Sequence, residues 1–428
     1  MQKFEQYGVK TPEILLLDQK KADIEKWAVI ACDQFTSNKD YWEDVKKITD
    51  GCPTTLNLIL PECYLKEIVL EDKILSINKN MADYIKSGIF KELTPGFILV
   101  ERESPHTKSR QGLLIAVDLE KYDYSEKSDS MIRPTEKTVV DRLPPRIKIR
   151  EKASMDLPHI LFLIDDGEGS VIEHLFSKKN NFEKLYDFKL MKNGGAIRGW
   201  HINKKEDFEH LENAFEKLSK KNKTLFAVGD GNHSLAAAKE VWNIIKKKPG
   251  IPKDHPARYA LVEVVNINSD GLGFHPIHRV VFDVNSAKML SAFEKETGCQ
   301  IKKIERSSVK TPQEANKIVF AYGKNFGEIT LKNEENILAA EILQIFLDKY
   351  LAEAEAKGEI DYIHGEEDLM ELSEKESNIG FLLPSISKKT FFSRITAKGV
   401  YPRKTFSIGE AIEKRYYLEA RVIDPSYS

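Results

Sequence analysis

The stretch 223–239 is the feature that most constrains how this chain folds. Residues 225–228 form a short apolar run of strand-forming residues, which predicts a buried strand. The glycines of 229–231 permit a sharp turn, and Asn232 or Ser234 can cap the amphipathic helix that follows. A strand that enters a helix through such a turn aims backbone N–H groups at one point, where the helix dipole favours an anion. The stretch therefore predicts a phosphate site, with a purely structural turn as the alternative.

Asp230 and His233 lie in this turn, and both are side-chain types suited to proton transfer or metal binding. The motif is not a Walker A loop, which needs Gly-Lys-Ser/Thr. It is not the dinucleotide fingerprint either, because Ser234 stands where the last glycine would be. The usual nucleotide-binding folds are therefore not indicated.

The composition is that of a globular protein with a balanced charge. The 428 residues allow two or three domains, and the hydrophobic content of 41% is enough for real cores. With 65 basic and 67 acidic residues the net charge is −2, so we expect no nucleic-acid or membrane partner acting through bulk charge. No apolar run approaches the ~18 residues of a membrane helix, and we expect a cytoplasmic protein. The four cysteines show no Cys-x-x-Cys spacing and are expected to be reduced.

Strand and helix patterns alternate from 159 to 245, which indicates an α/β core. We predict a mixed α/β fold with a central mixed sheet and flanking helices, and three parts with soft boundaries at 1–125, 126–282 and 283–428. The predicted strands are 27–32, 96–101, 112–118, 159–165, 196–202, 225–228, 257–267 and 379–384. The predicted helices are 71–88, 170–189, 206–220, one ending near 245, and 337–357.

The segment 132–152 carries four arginines, among them Arg142 and Arg146. Arginine forks match phosphate and carboxylate oxygens, so the segment is a candidate anion-binding element. Pro144-Pro145 argues against a continuous helix through it, and a solvated surface loop with ion pairs is the alternative.

Further polar candidates occur at three other places. Asp33 follows the strand 27–32, and α/β proteins place ligand contacts at such strand ends. His275 and His278 flank Pro276 in an extended stretch and could complete a metal site with Asp230 or His233. Lys404 and Thr405 lie beside another basic residue and offer anion-binding groups.

Six ordered motifs, spread over nearly the whole chain, together resemble the family called domain of unknown function 1015, DUF1015. They are Ala31-Cys-Asp-Gln-Phe-Thr36, Arg142-Leu-Pro-Pro-Arg-Ile-Lys-Ile-Arg150, Leu163-Ile-Asp-Asp166, Gly229-Asp-Gly-Asn-His-Ser234, His275-Pro-Ile-His-Arg279 and Pro402-Arg-Lys-Thr-Phe406. This family label carries no assigned reaction.

Another branch of that family has Asp-Gly-His-His-Arg where this chain has residues 230–234. That version is similar to the Gly-x-x-Arg helix start of the ParB and sulfiredoxin-like superfamily, whose members bind nucleotides and include kinases of free serine. The resemblance implies a ParB/sulfiredoxin-like element around 225–245, with a nucleotide phosphate at 231–234. It also places Glu136 and Asp33 in the same site. Because Ser234 replaces the arginine, another cation must substitute, and Arg279, Lys404 and the arginines at 142–150 are the candidates.

These observations predict a nucleotide-binding phosphotransferase that acts on a small molecule, with a hydroxy amino acid such as serine as a possible acceptor. ATP or ADP and Mg²⁺ are the expected cofactors. The alternatives are a metal-dependent hydrolase that uses Asp230, His233, His275 and His278 with a metal-bound water, and a non-catalytic nucleotide-sensing module. The predicted catalytic residues are Asp33, Glu136, Asp230 and His233. The predicted phosphate or nucleotide ligands are Gly231, Asn232, Ser234, Arg142, Arg146, His278, Arg279, Lys404 and Thr405.

Overall fold

The computed structural model describes residues 3–65, 69–332, 338–353 and 358–427, and the side chains of Lys3, Arg142 and Glu353 lie outside this description. The chain divides into two compact units. The first comprises Met1–Leu272 and Gly409–Ser428, and the second comprises Gly273–Ile408. The last 20 residues therefore return to the first unit.

The α-helices of the described residues are α1 (Ile24–Trp27), α2 (Lys39–Thr49), α3 (Leu70–Lys86), α4 (Leu143–Glu151), α5 (Ile172–Ser177), α6 (Lys205–Lys221), α7 (Asn232–Ile245), α8 (Ser286–Thr297), α9 (Ala339–Glu353), α10 (Glu366–Leu372) and α11 (Lys388–Lys398).

The strands of the described residues are β1 (Val9–Lys10), β2 (Leu15–Leu17), β3 (Val29–Ile30), β4 (Phe90–Glu92), β5 (Phe97–Glu103), β6 (Arg110–Asp118), β7 (Ile132–Pro134), β8 (Met155–Asp156), β9 (Leu161–Ile164), β10 (Glu183–Leu190), β11 (Gly195–Ile202), β12 (Phe226–Asp230), β13 (Tyr259–Asn266), β14 (Phe274–Pro276), β15 (His278–Phe282), β16 (Gln300–Lys303), β17 (Lys317–Tyr322), β18 (Asn325–Thr330), β19 (Glu359–Ile363), β20 (Ile379–Leu382), β21 (Phe406–Ile408), β22 (Tyr416–Tyr417) and β23 (Arg421–Val422).

A nine-stranded mixed sheet forms the centre of the first unit. Its order is β10-β11-β5-β6-β13-β9-β12-β7, and β1 pairs with β6. The pairs β12–β7 and β13–β9 are parallel, whereas β12–β9 and β13–β6 are antiparallel. The predicted fold class, a mixed α/β protein with a central mixed sheet, is confirmed.

Both faces of this sheet are covered by apolar cores. Along β5, Ile98 and Val100 face one core, while Phe97 and Leu99 face the other. Side chains alternate across a strand, so a strand buried on both faces is apolar at every position. This explains why the central strands are continuous apolar runs in the sequence.

The second unit contains a six-stranded sheet of order β16-β18-β17-β20-β15-β19 and a two-stranded pair of β14 with β21. Here too the two faces alternate. Val281 and Phe320 pack in a core with residues of α8 and α9, whereas Val280 and Val319 pack with Leu369 of α10.

Two of the local predictions are wrong. The helix predicted over 170–189 is replaced by the short α5 and by β10, because the buried positions of β10 alternate with exposed ones, which is the period of a strand. The segment with Pro144-Pro145 is not a loop but contains α4, since proline is tolerated in the first turn, where its missing N–H has no partner to lose. The ends of the last predicted long helix, at 337 and 354–357, lie outside the described residues.

Among the helices that the structure describes, none is both long and apolar enough to cross a bilayer.

Candidate functional site

Three strands of the main sheet bring polar residues to one edge. β7 runs parallel to β12 with Pro134 opposite Val228, so the residues after β7, including Glu136, emerge at the same edge as Asp230. β9 runs antiparallel to β12 with Leu161 opposite Asp230, so His159, which precedes β9, also lies at this edge. The edge therefore collects residues from both the ends and the beginnings of strands.

The C-terminal segment adds a lysine to this edge. β22 pairs antiparallel with β3, with Tyr416 opposite Ile30, and the N–H of Ala31 donates to the carbonyl oxygen of Arg415 at 2.9 Å. Continuation of this register places Lys414 beside the segment that leads to Asp33.

The turn between β12 and α7 requires glycine. Gly231 has φ +82°, and a Cβ atom there would lie 3.0 Å from Cγ1 of Ile160. Its N–H donates to Oδ1 of Asp230 at 3.0 Å. Because Gly231 has no side chain to cap the helix, the first turn of α7 presents its N–H groups at the sheet edge.

Asp230 and Lys414 form an ion pair at the start of α7. Nζ of Lys414 lies 3.2 Å from Oδ2 of Asp230, and the two side chains are 12% and 27% exposed respectively. Partial burial reduces the screening of this pair by water. A lysine is therefore fixed beside a helix N-terminus, which itself favours negative charge.

The carboxyl group of Asp33 is held in its ionised form. Burial opposes its ionisation, but His159, a hydrogen bond from Gln34, Lys414 and Arg146 together lower the pKa of Asp33 below its ordinary 3.8. The amide of Gln34 donates to Oδ1 of Asp33 at 2.9 Å. Asp33 is thus a carboxylate at neutral pH, near the positive charges of Lys414 and Arg146.

His159 connects Asp33 with the helix start. Its Nε2 lies 2.9 Å from Oγ of Ser234, and its ring packs edge-on against Tyr417 with centroids 5.2 Å apart. Burial lowers the pKa of His159, while Asp33 and Asp230 oppose that shift. We call Asp33, His159, Asp230, Ser234 and Lys414 the edge cluster.

Arg146 and Arg150 project from α4 towards the same region. Arg146 forms an ion pair with Glu62, and Arg150 donates to Oδ1 of Asp156 at 2.5 Å. Arg146 also contributes to the low pKa of Asp33. The predicted basic segment therefore does reach the candidate site, although its charges are compensated by acids.

A cavity of about 140 Å³ opens beside the edge cluster. His159, Ser234 and Arg146 line it together with Cys32, and the remaining wall is largely apolar. The thiol of Cys32 accepts a hydrogen bond from the hydroxyl of Tyr417 at 3.2 Å, and burial raises the pKa of Cys32 to about 11. Such a thiol is protonated at neutral pH and is therefore a poor nucleophile.

The structure brings Asn232 and His233 to the segment that carries Glu136. The amide oxygen of Asn232 accepts from the N–H of Thr135 at 3.2 Å, and Nε2 of His233 accepts from the N–H of Val139 at 3.2 Å. Both side chains thus fix this segment against α7. Glu136 is half-buried within it, and the side chain of Arg142, farther along, lies outside the described atoms.

The remaining predicted residues belong to the second unit. Nδ1 of His278 accepts from the N–H of Leu383 at 3.1 Å, and burial lowers its pKa to about 4. Arg279 is fully buried, and its Nε donates to Gln344 at 3.1 Å.

His275 and Lys404 are exposed, and Lys404 has φ +56°. The hydroxyl of Thr405 donates to the carbonyl oxygen of Pro402 at 2.7 Å. The proposed roles of these residues, like those of His278 and Arg279, stay predictions.

Within the residues that the structure describes, no group of three or more His, Cys, Asp or Glu side chains has an arrangement that could hold a metal ion. Of the metal-ligand candidates, Asp230 and His233 lie in the first unit and His275 in the second.

Sequence reasoning did not single out Lys414 or His159. Lys414 stands in a charged run just before the aromatic pair of β22, and His159 precedes an apolar strand. Neither position forms a motif with the turn at 229–231. The antiparallel pairings of β22 with β3 and of β9 with β12 bring them there.

A search of curated proteins found no match to the chain. Among solved structures, a mutant free serine kinase in complex with AMP aligns with 13% identity over 71% of this chain and 90% of its own, at a TM-score of 0.41. A conserved hypothetical protein from Pyrococcus furiosus aligns with 13% identity over 71% and 94%, at 0.39. SbnI with a C-terminal truncation, from Staphylococcus aureus, aligns with 12% identity over 69% and 82%, at 0.37. A family model matches residues 16–350, and the chain belongs to the family described as protein of unknown function, DUF1015.

Proposed function

We propose that the protein is a nucleotide-dependent phosphotransferase that moves a phosphoryl group from ATP or ADP to the hydroxyl group of a small molecule. A hydroxy amino acid such as serine is the acceptor that the sequence resemblance suggests. The observation that carries the proposal is the position of Lys414, paired with Asp230 at the start of α7 and close enough to Asp33 to lower its pKa. A cation, an ionised acid and a helix N-terminus are the parts that phosphoryl transfer needs.

In the other branch of the family an arginine stands at the position of Ser234. Lys414 is proposed to take the role of that arginine. Phosphoryl transfer spreads negative charge over the transferred group and the leaving oxygen. Lys414 and the first N–H groups of α7 are proposed to stabilise this charge, while Ser234, fixed by His159, donates to a phosphate oxygen.

Asp33 is the proposed base. Its lowered pKa keeps it ionised at neutral pH, so it can accept the proton of the acceptor hydroxyl. The acceptor oxygen then forms a bond to the terminal phosphorus of the donor. The bond from that phosphorus to its bridging oxygen breaks, and the electron pair leaves with the nucleotide. Glu136 is the second proposed base at the same sheet edge.

Asp230 is proposed to orient Lys414 and, together with the donor phosphates, to hold Mg²⁺ if the reaction uses it. Mg²⁺ is commonly bound through one or two carboxylates plus phosphate oxygens, so Asp230 and Asp33 are a suitable type of ligand set. The ion would supply further neutralisation of phosphate charge. His233 is proposed to keep the Glu136 segment in place through Val139. The ParB-like element, the cytoplasmic location and the use of Mg²⁺ stay predictions.

The proposal is tested by calorimetry with ATP, ADP and CTP, followed by ³¹P NMR of mixtures with serine and other hydroxyl compounds. We expect Asp33→Asn to bind the nucleotide but to transfer phosphate at least about 100-fold more slowly, the usual range for loss of a general base. Asp165→Asn is the matched control. Asp165 follows the C-terminal end of β9, whereas the edge cluster lies at the N-terminal end of this strand. Asp165 accepts a hydrogen bond from Asn268 at 3.0 Å.

Binding of a nucleotide without transfer to any acceptor would favour the nucleotide-sensing alternative. No binding of any nucleotide, or equal effects of Asp33→Asn and Asp165→Asn on transfer, would contradict the proposal.

A further inference from the structure

The cavity beside the edge cluster is apolar over most of its wall. Its volume is about 140 Å³, and the apolar residues that line it include Leu58, Leu60, Met81, Ile149, Leu157 and Ala237. An engineered cavity of similar volume, about 150 Å³ and lined by aliphatic and aromatic side chains, binds benzene. The space therefore suits one apolar ring or a branched chain of similar size.

Most of the polar side chains in the wall are paired with one another. Arg146 pairs with Glu62, Arg150 with Asp156, and His159 with Ser234. A polar ring placed among the apolar side chains would lose its hydrogen bonds to water without equivalent replacement, which costs free energy. An apolar group avoids this cost.

The cavity and the phosphate-binding turn share a wall. Ser234 lies in the first turn of α7, and Ala237 lies one turn farther along the same helix, and both line the cavity. A substrate held at the turn by an anionic or hydroxyl group can therefore extend directly into the apolar space.

We propose that this cavity holds an apolar group of the substrate, about the size of a phenyl ring. The acceptor is then a hydroxyl compound larger and more apolar than serine. This inference rests on the proposed function, because it takes the edge cluster as the site of phosphoryl transfer.

Three probes test it by calorimetry: inorganic phosphate, benzyl alcohol and benzyl phosphate. In the unmodified protein we expect benzyl phosphate to bind at least about tenfold more tightly than inorganic phosphate, because burial of the ring adds to the affinity. Benzyl alcohol is expected to bind as well. Ala237→Leu and Ala153→Leu fill the cavity from two sides, and in both the ratio of the two phosphate affinities should fall to about one.

Lys152→Leu is the matched control, because Lys152 is exposed, neighbours Ala153 and does not line the cavity. It should leave the ratio unchanged. Thermal unfolding of each variant shows whether it is folded, and two filling variants keep the test valid if one of them does not fold.

The outcomes separate the two proposals. If ATP and phosphate bind but benzyl phosphate binds no more tightly than phosphate, the cavity inference is wrong and the proposed function stands. If benzyl alcohol binds and is lost in both filling variants while no phosphate compound binds, the cavity takes an apolar ligand and the proposed function is wrong. If the ratio survives in both filling variants, the ring binds elsewhere and the inference fails.

Discussion

Lys414 is fixed beside Asp230 by contacts of both its side chain and its backbone. Its Nζ lies 3.2 Å from Oδ2 of Asp230, and its backbone carbonyl oxygen accepts from Nη1 of Arg102 at 3.3 Å. The preceding carbonyl, that of Glu413, accepts from Nη1 of Arg110 at 2.7 Å. Both arginines are almost fully buried, so they fix the backbone on which Lys414 stands. A charge positioned in this way needs little reorganisation when an anion arrives.

Lys414→Met is expected to weaken nucleotide binding by about tenfold to 100-fold. Methionine keeps most of the side-chain length but loses the charge, and a hydrogen bond to a charged group contributes about 1.5–3 kcal/mol. Calorimetry with ATP and ADP measures the loss. Lys192→Met is the control, because Lys192 makes an ion pair with Asp44 at 2.7 Å but takes no part in the edge cluster. Equal affinities in Lys414→Met and the unmodified protein would contradict the proposed role.

His159→Gln is expected to raise the pKa of Asp33. Burial raises this pKa, and His159 is the largest of the influences that lower it. A lowered pKa in the folded state stabilises the fold above the unfolded value near 3.8, and that contribution is lost as the pH falls through the folded value. In the variant this contribution should be smaller at neutral pH, and its loss on acidification, which begins near the unfolded value in both proteins, should be complete at a higher pH.

¹³C NMR titration of the Asp33 carboxyl group, assigned with Asp33→Asn, measures this change. His255→Gln is the control, because the charged groups that act on His255 are Asp424, Arg421 and Asp254. An Asp33 pKa that is the same in His159→Gln as in the parent would show that His159 does not act on it.

The sequence predicted those parts of the site that depend on local structure. The strand, the turn at Gly231 and the helix after it follow from residues next to one another, and the structure has all three. Lys414 and His159 depend instead on which strands pair and in which direction. Periodicity within one segment carries no information on that choice.

The error at 170–189 has a similar origin. Leu185 with Phe188 and Tyr186 with Leu190 have helical spacing, whereas Tyr186, Phe188 and Leu190 occupy alternate positions of a strand. Such a short apolar pattern does not distinguish the two. The pairing of β10 with β11 decides the matter, because it satisfies the backbone groups of the segment in the sheet.

Gly231→Ala is expected to lower the free energy of unfolding by about 1–2 kcal/mol, because residues other than glycine are strained in the left-handed region. The new Cβ would also approach Ile160 closely. Chemical denaturation measures the change. Gly167→Ala is the control: its Cβ would meet nothing within 4 Å, and we expect a change within about 0.5 kcal/mol. Equal stability of the two variants would show that the turn can relax.

Arg279→Ala is expected to destabilise the second unit by about 3 kcal/mol. The guanidinium donates to Gln344 and to the carbonyl oxygens of Ile277 and Arg403, and lies over the ring of Tyr362 at 4.9 Å. Each buried acceptor that loses its donor costs about 1–3 kcal/mol.

Hydrogen exchange of the amides in β15 and β19 measures this change. Arg306→Ala is the control, because Arg306 is exposed, and we expect its effect on the stability of the unit to stay within about 0.5 kcal/mol. The prediction follows from burial, because a guanidinium enclosed by the protein's own acceptors stabilises the unit that contains it. The sequence motif instead suggested that Arg279 binds phosphate. Unchanged exchange in Arg279→Ala together with a loss of nucleotide affinity would therefore contradict the structural role and support the phosphate role.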